Sequence, residues 1–285
     1  MIELPDVPMA RRIAPIFHRT YPVADLPPEL RENVAVTERL HPDWEHRLYD
    51  DQAIEEFIAE HYGRKVLDLY ASISPSCGAA RADLFRYLVV YRFGGVYLDI
   101  KSRATRHLGS LIASSDKMIL SHWDNLEGES HEGWGICAEL GYRYPGEFQQ
   151  WHIIAVAGHP YLRAAIEAVL TKIRDYSTLR DGVGKPAVIR VTGPIAYTLA
   201  LQPLLRSGMH RTVRVKQDLG LEYSFYPAGF THVQHFPSHY TRSKERLVRP
   251  SNFIEAAAFP LMRAVHPAYD TARRVVWRLQ RMWAR

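Results

Sequence analysis

The sequence predicts an α/β fold, a mainly parallel central sheet with helices on both faces. Three observations carry this expectation. Short apolar runs of β type alternate with longer segments whose apolar residues recur at helical spacing. Gly, Pro and Asp punctuate the connections where chain reversals and helix starts belong. No linker, low-complexity tract or repeat divides the 285 residues.

Each element follows in turn. Ile13 to Phe17 is a compact apolar run that opens into His18-Arg19-Thr20 and predicts a first buried strand. After Pro27-Pro28, the segment Glu29 to Leu40 carries its leucines and valines at helical spacing. Trp44 to Tyr49 reads as a second strand. Asp50-Asp51 then cap a helix from Gln52 to His61, where Ile54, Phe57 and Ile58 share one face. The strongest helical pattern is Ala79 to Phe93, with Leu84, Tyr87, Leu88 and Tyr91 on one stripe and Gly94-Gly95 as its stop. Val96 to Ile100, Met118 to Ser121 and Trp151 to Ala157 read as strands. Pro160 to Tyr176 reads as an amphipathic helix and Val188 to Val191 as a further strand. Thr192-Gly193-Pro194 opens a helix through Leu205, with Pro in the first turn where its missing N–H costs nothing.

Composition excludes several classes. At 47% hydrophobic and 24% charged residues the chain is globular rather than disordered. The net charge of +5 favours an anionic partner. Cys77 and Cys137 are too few for a disulfide framework, which points to a reducing compartment. Gly182-Val-Gly-Lys185 lacks the upstream glycine and following Ser/Thr of a phosphate-binding loop, and no Gly-X-Ser-X-Gly elbow is present.

The segment Arg81 to Ser102 places a charged helix, a glycine hinge and a strand ending in a carboxylate in direct succession. Ligands of open α/β sheets gather at the carboxyl ends of strands, which singles out Asp99. Here the sequence resembles glycosyltransferase family 32, the capsular-polysaccharide transferases and Golgi initiating mannosyltransferases. The family's Ser/Ala-Asp-X-X-Arg-Tyr helix and Gly-Gly-X-Tyr-X-Asp-X-Asp strand are matched by Ala82-Asp83, Arg86-Tyr87 and Gly94-Gly95-Val96-Tyr97-Leu98-Asp99. Pro15-Ile16-Phe17-His18, His41-Pro42-Asp43-Trp44-Glu45, Gly158-His159-Pro160-Tyr161-Leu162 and Thr192-Gly193-Pro194 resemble further landmarks in the same order.

The resemblance implies a GT-A-type nucleotide-sugar-binding fold and a retaining transfer of a hexose to a glycan or lipid-linked acceptor, in surface polysaccharide synthesis. It implies Asp99 as catalytic, and His18, Asp83, Arg86, Tyr87, Gly94, Gly95 and Tyr97 as donor-binding; Lys101, where the chain departs from the family, joins the catalytic candidates for its charge, and Ser102 adds a hydroxyl to the donor-binding set. Many GT-A enzymes complete a metal shell with a C-terminal histidine, so Asp99 with His235 and His239, near His232, forms the candidate set for a divalent cation, Mn or Mg. One departure bears on that cation: Lys101 stands where the family's second acidic residue belongs. An ammonium there removes an oxygen ligand and adds repulsion, leaving metal use open, and offers instead a fixed cation beside a leaving diphosphate. The alternative reading is a catalytically inactive sugar- or nucleotide-binding protein of the same fold. Asp124, Asn125, Glu127, Glu129 and Glu132 form an acid-rich stretch where an acceptor loop could lie, although most of them read as solvated loop.

The tail is different in character. Arg263, Arg273, Arg274, Arg278, Arg281 and Arg285 face a single acid, Asp270, while Tyr269, Ala272, Val275, Val276, Leu279, Met282 and Trp283 share a helical face. The expected division is a catalytic domain at 1–262 and a basic amphipathic helix at 263–285, suited to an anionic membrane surface. Charge gathered in a tail, rather than interleaved with aromatics along a groove, argues against nucleic acid as a partner. No uninterrupted apolar run approaches the roughly 20 residues of a spanning helix. Met1 to Arg12 lacks the order of a signal peptide. The expected location is cytoplasmic, peripheral at the inner face of the membrane.

Overall fold

The structure is a computed structural model that describes residues 2–226, 244–250 and 252–283, with the side chains of 273, 274 and 276–283 left aside. It opens with β1 (Ile16–Thr20), α1 (Pro28–Leu40), β2 (Glu45–Tyr49), α2 (Asp51–Ser72), α3 (Gly78–Phe93) and β3 (Gly95–Leu98). The strands β4 (Arg103–Ala104), β5 (Met118–Leu120) and β6 (His152–Ala155) follow. Next come α4 (Pro160–Arg174), α5 (Thr178–Asp181), α6 (Gly184–Val191) and α7 (Pro194–Leu201). The chain then forms β7 (Arg211–Thr212), α8 (Val215–Leu219), β8 (Leu221–Glu222) and α9 (Phe253–Trp283).

Six of these strands make one sheet in the order β2, β1, β3, β6, β5, β7. The β1/β2, β1/β3 and β5/β7 pairs are parallel, whereas β6 runs antiparallel to both neighbours. The expected mainly parallel sheet is therefore what the chain adopts, with β6 as the reversed strand. Side-chain alternation feeds two cores, as the period of two requires. Tyr97, Ile153, Ala155, Met118 and Leu120 face one core, shared with α2, α3, α4, α6 and α7. Phe17, Val96, Leu98, Ile119 and Ile154 face the other, with Leu108, Val215 and Leu219. Helices cover both faces.

Several expectations are corrected. The first strand starts at Ile16, because the run before it, Ile13 to Pro15, leads into the sheet without pairing in it. Val188 to Val191 is the end of α6, not a strand: Ala187, Val188 and Val191 are buried at helical spacing, and a run of four apolar residues carries no period that separates strand from buried helix. The helix begun at Asp51 continues to Ser72 across a kink at Gly63, whose φ of +74° breaks the α geometry without ending the run. The helix opened by Thr192-Gly193-Pro194, expected to reach Leu205, closes at Leu201 and tightens into a 3₁₀ turn over Gln202–Ser207. By length and composition Gly184–Ser207 would cross a membrane, but 56% of its apolar window is buried inside the fold.

The junction between α3 and β3 is the tightest feature of the sheet. Gly94 and Gly95 have φ of +70° and +97°. A Cβ on Gly95 would lie 2.6 Å from Ile16 O, and one on Gly94 2.7 Å from Ala157 N. Only glycine lets the chain turn there and insert β3 between β1 and β6. That insertion brings Asp99 to the carboxyl edge of the sheet.

Candidate active site

Asp99 follows β3, and its backbone N–H donates to Trp151 O at 2.8 Å, just ahead of β6. Because β6 is antiparallel, the residues that precede it lie at the same sheet edge as the residues that follow β3. Two sequence-distant segments thus meet: α3 supplies Asp83 and Arg86, and the approach to β6 supplies Gln149, Gln150 and Trp151. They line a cavity of about 460 Å³ together with Tyr97, Asp99, Lys101 and Tyr223.

Arg86 organises the cavity floor. Its Nη2 stands 3.2 Å from Asp83 Oδ1 and 3.1 Å from Asp99 Oδ1. Its Nη1 donates to Gln150 O at 2.6 Å, and its guanidinium lies 4.7 Å from the centre of the Tyr97 ring. Burial disfavours its charge, yet Asp99, Tyr97 and Asp83 together outweigh that and hold the guanidinium above its ordinary range. Asp83 is fully engaged, accepting from Gln150 Nε2 at 2.9 Å and from Thr192 Oγ1 at 2.9 Å. Its pKa is raised by burial, which the neighbouring Arg86 opposes. Asp99 differs: its side chain is 25% exposed against 3% for Asp83, so it is the carboxylate that can meet a ligand.

Lys101 approaches from the loop after β3. Its Nζ donates to Tyr223 OH at 2.7 Å and lies 3.9 Å from the centre of that ring. Burial lowers its pKa to about 8, an effect that Asp99 opposes and Arg86 reinforces. At the end of β3 the cavity therefore presents the partly exposed Asp99 beside two cationic side chains, Arg86 and Lys101.

The remaining candidates sort by position. Tyr97 lines the cavity, and its hydroxyl donates to Asp99 Oδ1 at 3.4 Å. Tyr87 is buried behind it, donating to Gln150 Oε1 at 2.6 Å and so orienting the amide that holds Asp83. His18 is buried and neutral, with Nε2–H donating to Gly94 O at 3.0 Å and Nδ1 accepting from Tyr49 OH at 3.1 Å. Burial lowers its pKa to about 4, so it fastens β1 to the glycine turn and stands away from the cavity wall. Gly94 and Gly95 act through the backbone turn described above. Ser102 is buried, its Oγ donating to Tyr223 O at 2.8 Å. His232, His235 and His239 lie outside the described residues.

A hard divalent cation prefers several anionic or neutral oxygens around it. Among the described residues no three of His, Cys, Asp and Glu gather as a cage. Asp83 is spent on Arg86, Gln150 and Thr192, and Asp99 has Arg86 and Lys101 beside it. Among the described residues that donor set does not fit a divalent ion.

Sequence reasoning missed Gln150, Trp123, Trp134, Glu147, Tyr223 and Lys185, all in the cavity wall. The signal that would have found Gln150 is the direction of β6, which periodicity does not reveal. The acid-rich stretch is largely its own scaffold: Arg214 binds Asp124 at 3.1 Å and Glu129 at 3.3 Å, while Glu132 accepts from Gly128 N at 3.1 Å.

Residues 27–118 match the family described as glycosyltransferase sugar-binding region containing DXD motif. Over 110 residues the chain is 34% identical to mannosyl phosphorylinositol ceramide synthase SUR1 of Saccharomyces cerevisiae, covering 38% of this chain and 28% of that one. Over 175 residues it is 27% identical to the initiation-specific alpha-1,6-mannosyltransferase of Schizosaccharomyces pombe, covering 58% and 42%. The chain thus spans less than half the length of these relatives. A solved structure, PaToxG glycosyltransferase, aligns with a TM-score of 0.49 and 14% identity, over 81% of this chain and 86% of that chain. The resemblance to family 32 read from Arg81 to Ser102 is borne out by the matched region.

Proposed function

We propose that this chain, related to the DXD glycosyltransferases through residues 27–118, moves a hexose from a nucleotide sugar to a hydroxyl of a glycan or glycolipid, with retention of configuration. Mannose is the sugar its relatives' names favour. The observation that carries the reading is the cavity in which Arg86 and Lys101 flank Asp99 at the carboxyl end of β3. Two fixed cations in a mostly buried pocket meet the charge that develops on a departing diphosphate, and they do so without reorganising. Asp99, held by Arg86 and Tyr97, offers its exposed edge to donor hydroxyls. Asp83 acts from behind, keeping Arg86 charged and in place. Among the described residues the other carboxylate at Arg86, Asp83, is engaged by Arg86, Gln150 and Thr192, so front-face attack fits best, the leaving phosphate taking the acceptor proton.

The acceptor we favour is borne on lipid, and α9 supports this. Ion pairs and hydrogen bonds tie it to the rest of the fold, Glu255 with Arg246 at 3.2 Å, His266 Nδ1 with Leu179 O at 2.8 Å and Asp270 with Arg190 at 2.9 Å, and half-buried Ala258, Phe259 and Met262 share that side. On the other side Phe253, Ile254, Leu261, Val265 and Val275 are exposed. An apolar stripe turned to the outside beside Arg263 suits a membrane interface. We propose residues 1–262 as the catalytic unit and 263–285 as the basic part of this helix, peripheral at the membrane surface. A panel of sugar nucleotides, GDP-mannose among them, incubated with and without Mn²⁺, tests the reading. Consumption of a donor by the wild type and not by Asp99→Ala is expected. Failure to bind or consume any of them would overturn it.

A further inference from the structure

Trp134 is 49% exposed, yet it is held rigidly. It sits between Gly133 and Gly135, both at φ +75°, a backbone that bends the loop sharply on each side of the ring. A Cβ on Gly135 would lie 2.7 Å from Glu147 Cγ and 3.0 Å from Trp123 Cδ1, so the loop packs closely on both. Asn125 Nδ2 ties the loop down, donating to Trp134 O at 2.6 Å and Pro145 O at 3.1 Å. The indole is braced by Trp123 at 5.0 Å and 69°, His131 at 4.9 Å and 68°, and Tyr223 at 6.3 Å and 86°. Exposed tryptophans are ordinarily covered or mobile; this one is set as a fixed platform in the wall of the cavity that holds Asp99.

Glu147 lies in the same wall. Its backbone is fixed at both ends, N–H donating to Gly135 O at 3.0 Å and C=O accepting from His122 Nδ1 at 3.0 Å. Its Oε1 accepts from Trp123 Nε1 at 3.0 Å. Burial raises its pKa, an effect that this bond and Lys185 oppose. Nearby, the indole N–H of Trp151 is buried without a hydrogen-bond partner among the described residues. Tyr223 joins this wall to the donor side, touching Trp123 at 5.1 Å while receiving Lys101 Nζ on its hydroxyl.

We propose that Trp134 and Glu147 form the acceptor subsite, taking a ring that carries several hydroxyls, a hexopyranose or a cyclitol. Such a ring has an apolar C–H face and a polar rim. Its face stacks on the open side of Trp134, and a rim hydroxyl donates to Glu147. The Lys101–Tyr223–Trp123 chain places that ring beside the site of donor cleavage. This inference rests on the transferase reading above.

The test has two arms. Methyl α-D-mannopyranoside and myo-inositol are titrated by saturation-transfer NMR into wild type, Trp134→Ala, Trp134→Phe and Glu147→Gln. In parallel, steady-state kinetics with the donor found above separate the KM for acceptor from the KM for donor. Saturable binding of at least one probe is expected, weakened about tenfold in Trp134→Ala and Glu147→Gln and largely restored in Trp134→Phe. The acceptor KM rises by a similar factor, and the donor KM shifts far less. No binding of either probe by wild type, equal binding by the variants, or a donor KM that rises in step overturns the subsite. Probe binding that Trp134→Ala abolishes, in a wild type that consumes no sugar nucleotide, would sink the transferase reading and leave the subsite standing.

Discussion

Arg86 Nη2 stands 3.1 Å from Asp99 Oδ1, and this pair joins the helix before the glycine turn to the strand after it. Arg86 is buried, whereas Asp99 keeps an open edge to the cavity. The two residues should therefore respond differently to substitution.

Asp99→Ala removes the ligand-facing partner and leaves Arg86 paired with Asp83. Turnover should fall by at least about a hundredfold, as removal of a group acting at developing charge does, while the melting temperature moves only a few degrees. Arg86→Ala instead strands Asp83 in the interior, which costs about 3–5 kcal/mol. Urea unfolding of the two variants side by side distinguishes these outcomes, and equal stability loss in both would reject the division.

Lys101 should impose a pH limit. Burial lowers its pKa to about 8, so its ammonium is present below that pH and lost above it. Turnover should decline as pH rises through about 8, and the limb should vanish in Lys101→Ala, whose turnover at pH 7 is about tenfold lower. Stability should move the other way. The unfolded chain holds this proton up to the ordinary value of 10.5 and the folded chain releases it earlier, so stability rises with pH between the two. A wild-type profile flat to pH 9.5 would assign Lys101 no part in turnover.

Lys101→Asp places a second carboxylate two residues after Asp99. Stimulation by Mn²⁺ should be at least about tenfold greater than in the wild type, since two acidic oxygens make the pair that a hard cation prefers. Isothermal titration with Mn²⁺ checks the same point without turnover, and unchanged affinity would count against it.

Gly95→Ala should destabilise by more than about 2 kcal/mol, combining a disfavoured φ with a collision against backbone. The Cβ would meet Ile16 O at 2.6 Å, an atom of β1 that cannot swing aside as a side-chain tip would. Urea denaturation provides the measurement.

Exchanging Ile254, Leu261 and Val265 for Ser should release the protein from vesicles containing anionic lipid at low salt, because each removes outward apolar area. Donor consumption in solution should continue. Co-sedimentation decides, and equal retention of the variant would place the membrane contact elsewhere.

The sequence by itself determined most of the strands and helices up to β3 and the chemistry-bearing segment, while Val188 to Val191, read as a strand, proved helical. Ala79 to Phe93 is legible because its apolar stripe has the helical period, and Gly94-Gly95 is legible because few other residues permit such a turn. Asp99 at a strand end, with Asp83 and Arg86 one turn apart on the preceding helix, needed only local geometry. Tertiary structure decided what local patterns cannot encode. The reversal of β6 brings Gln150 to Asp83 and Trp151 to Asp99, and strand direction leaves no trace in the alternation of side chains. Burial sorted the candidates: the same chain that keeps Asp99 partly open closes over His18, Tyr87 and Ser102. Trp134 and Glu147 share one wall because Gly135 packs against both Glu147 and Trp123, a contact that no local pattern encodes. Periodicity reports which face a residue takes within its own element, while a site forms where the faces of several elements converge.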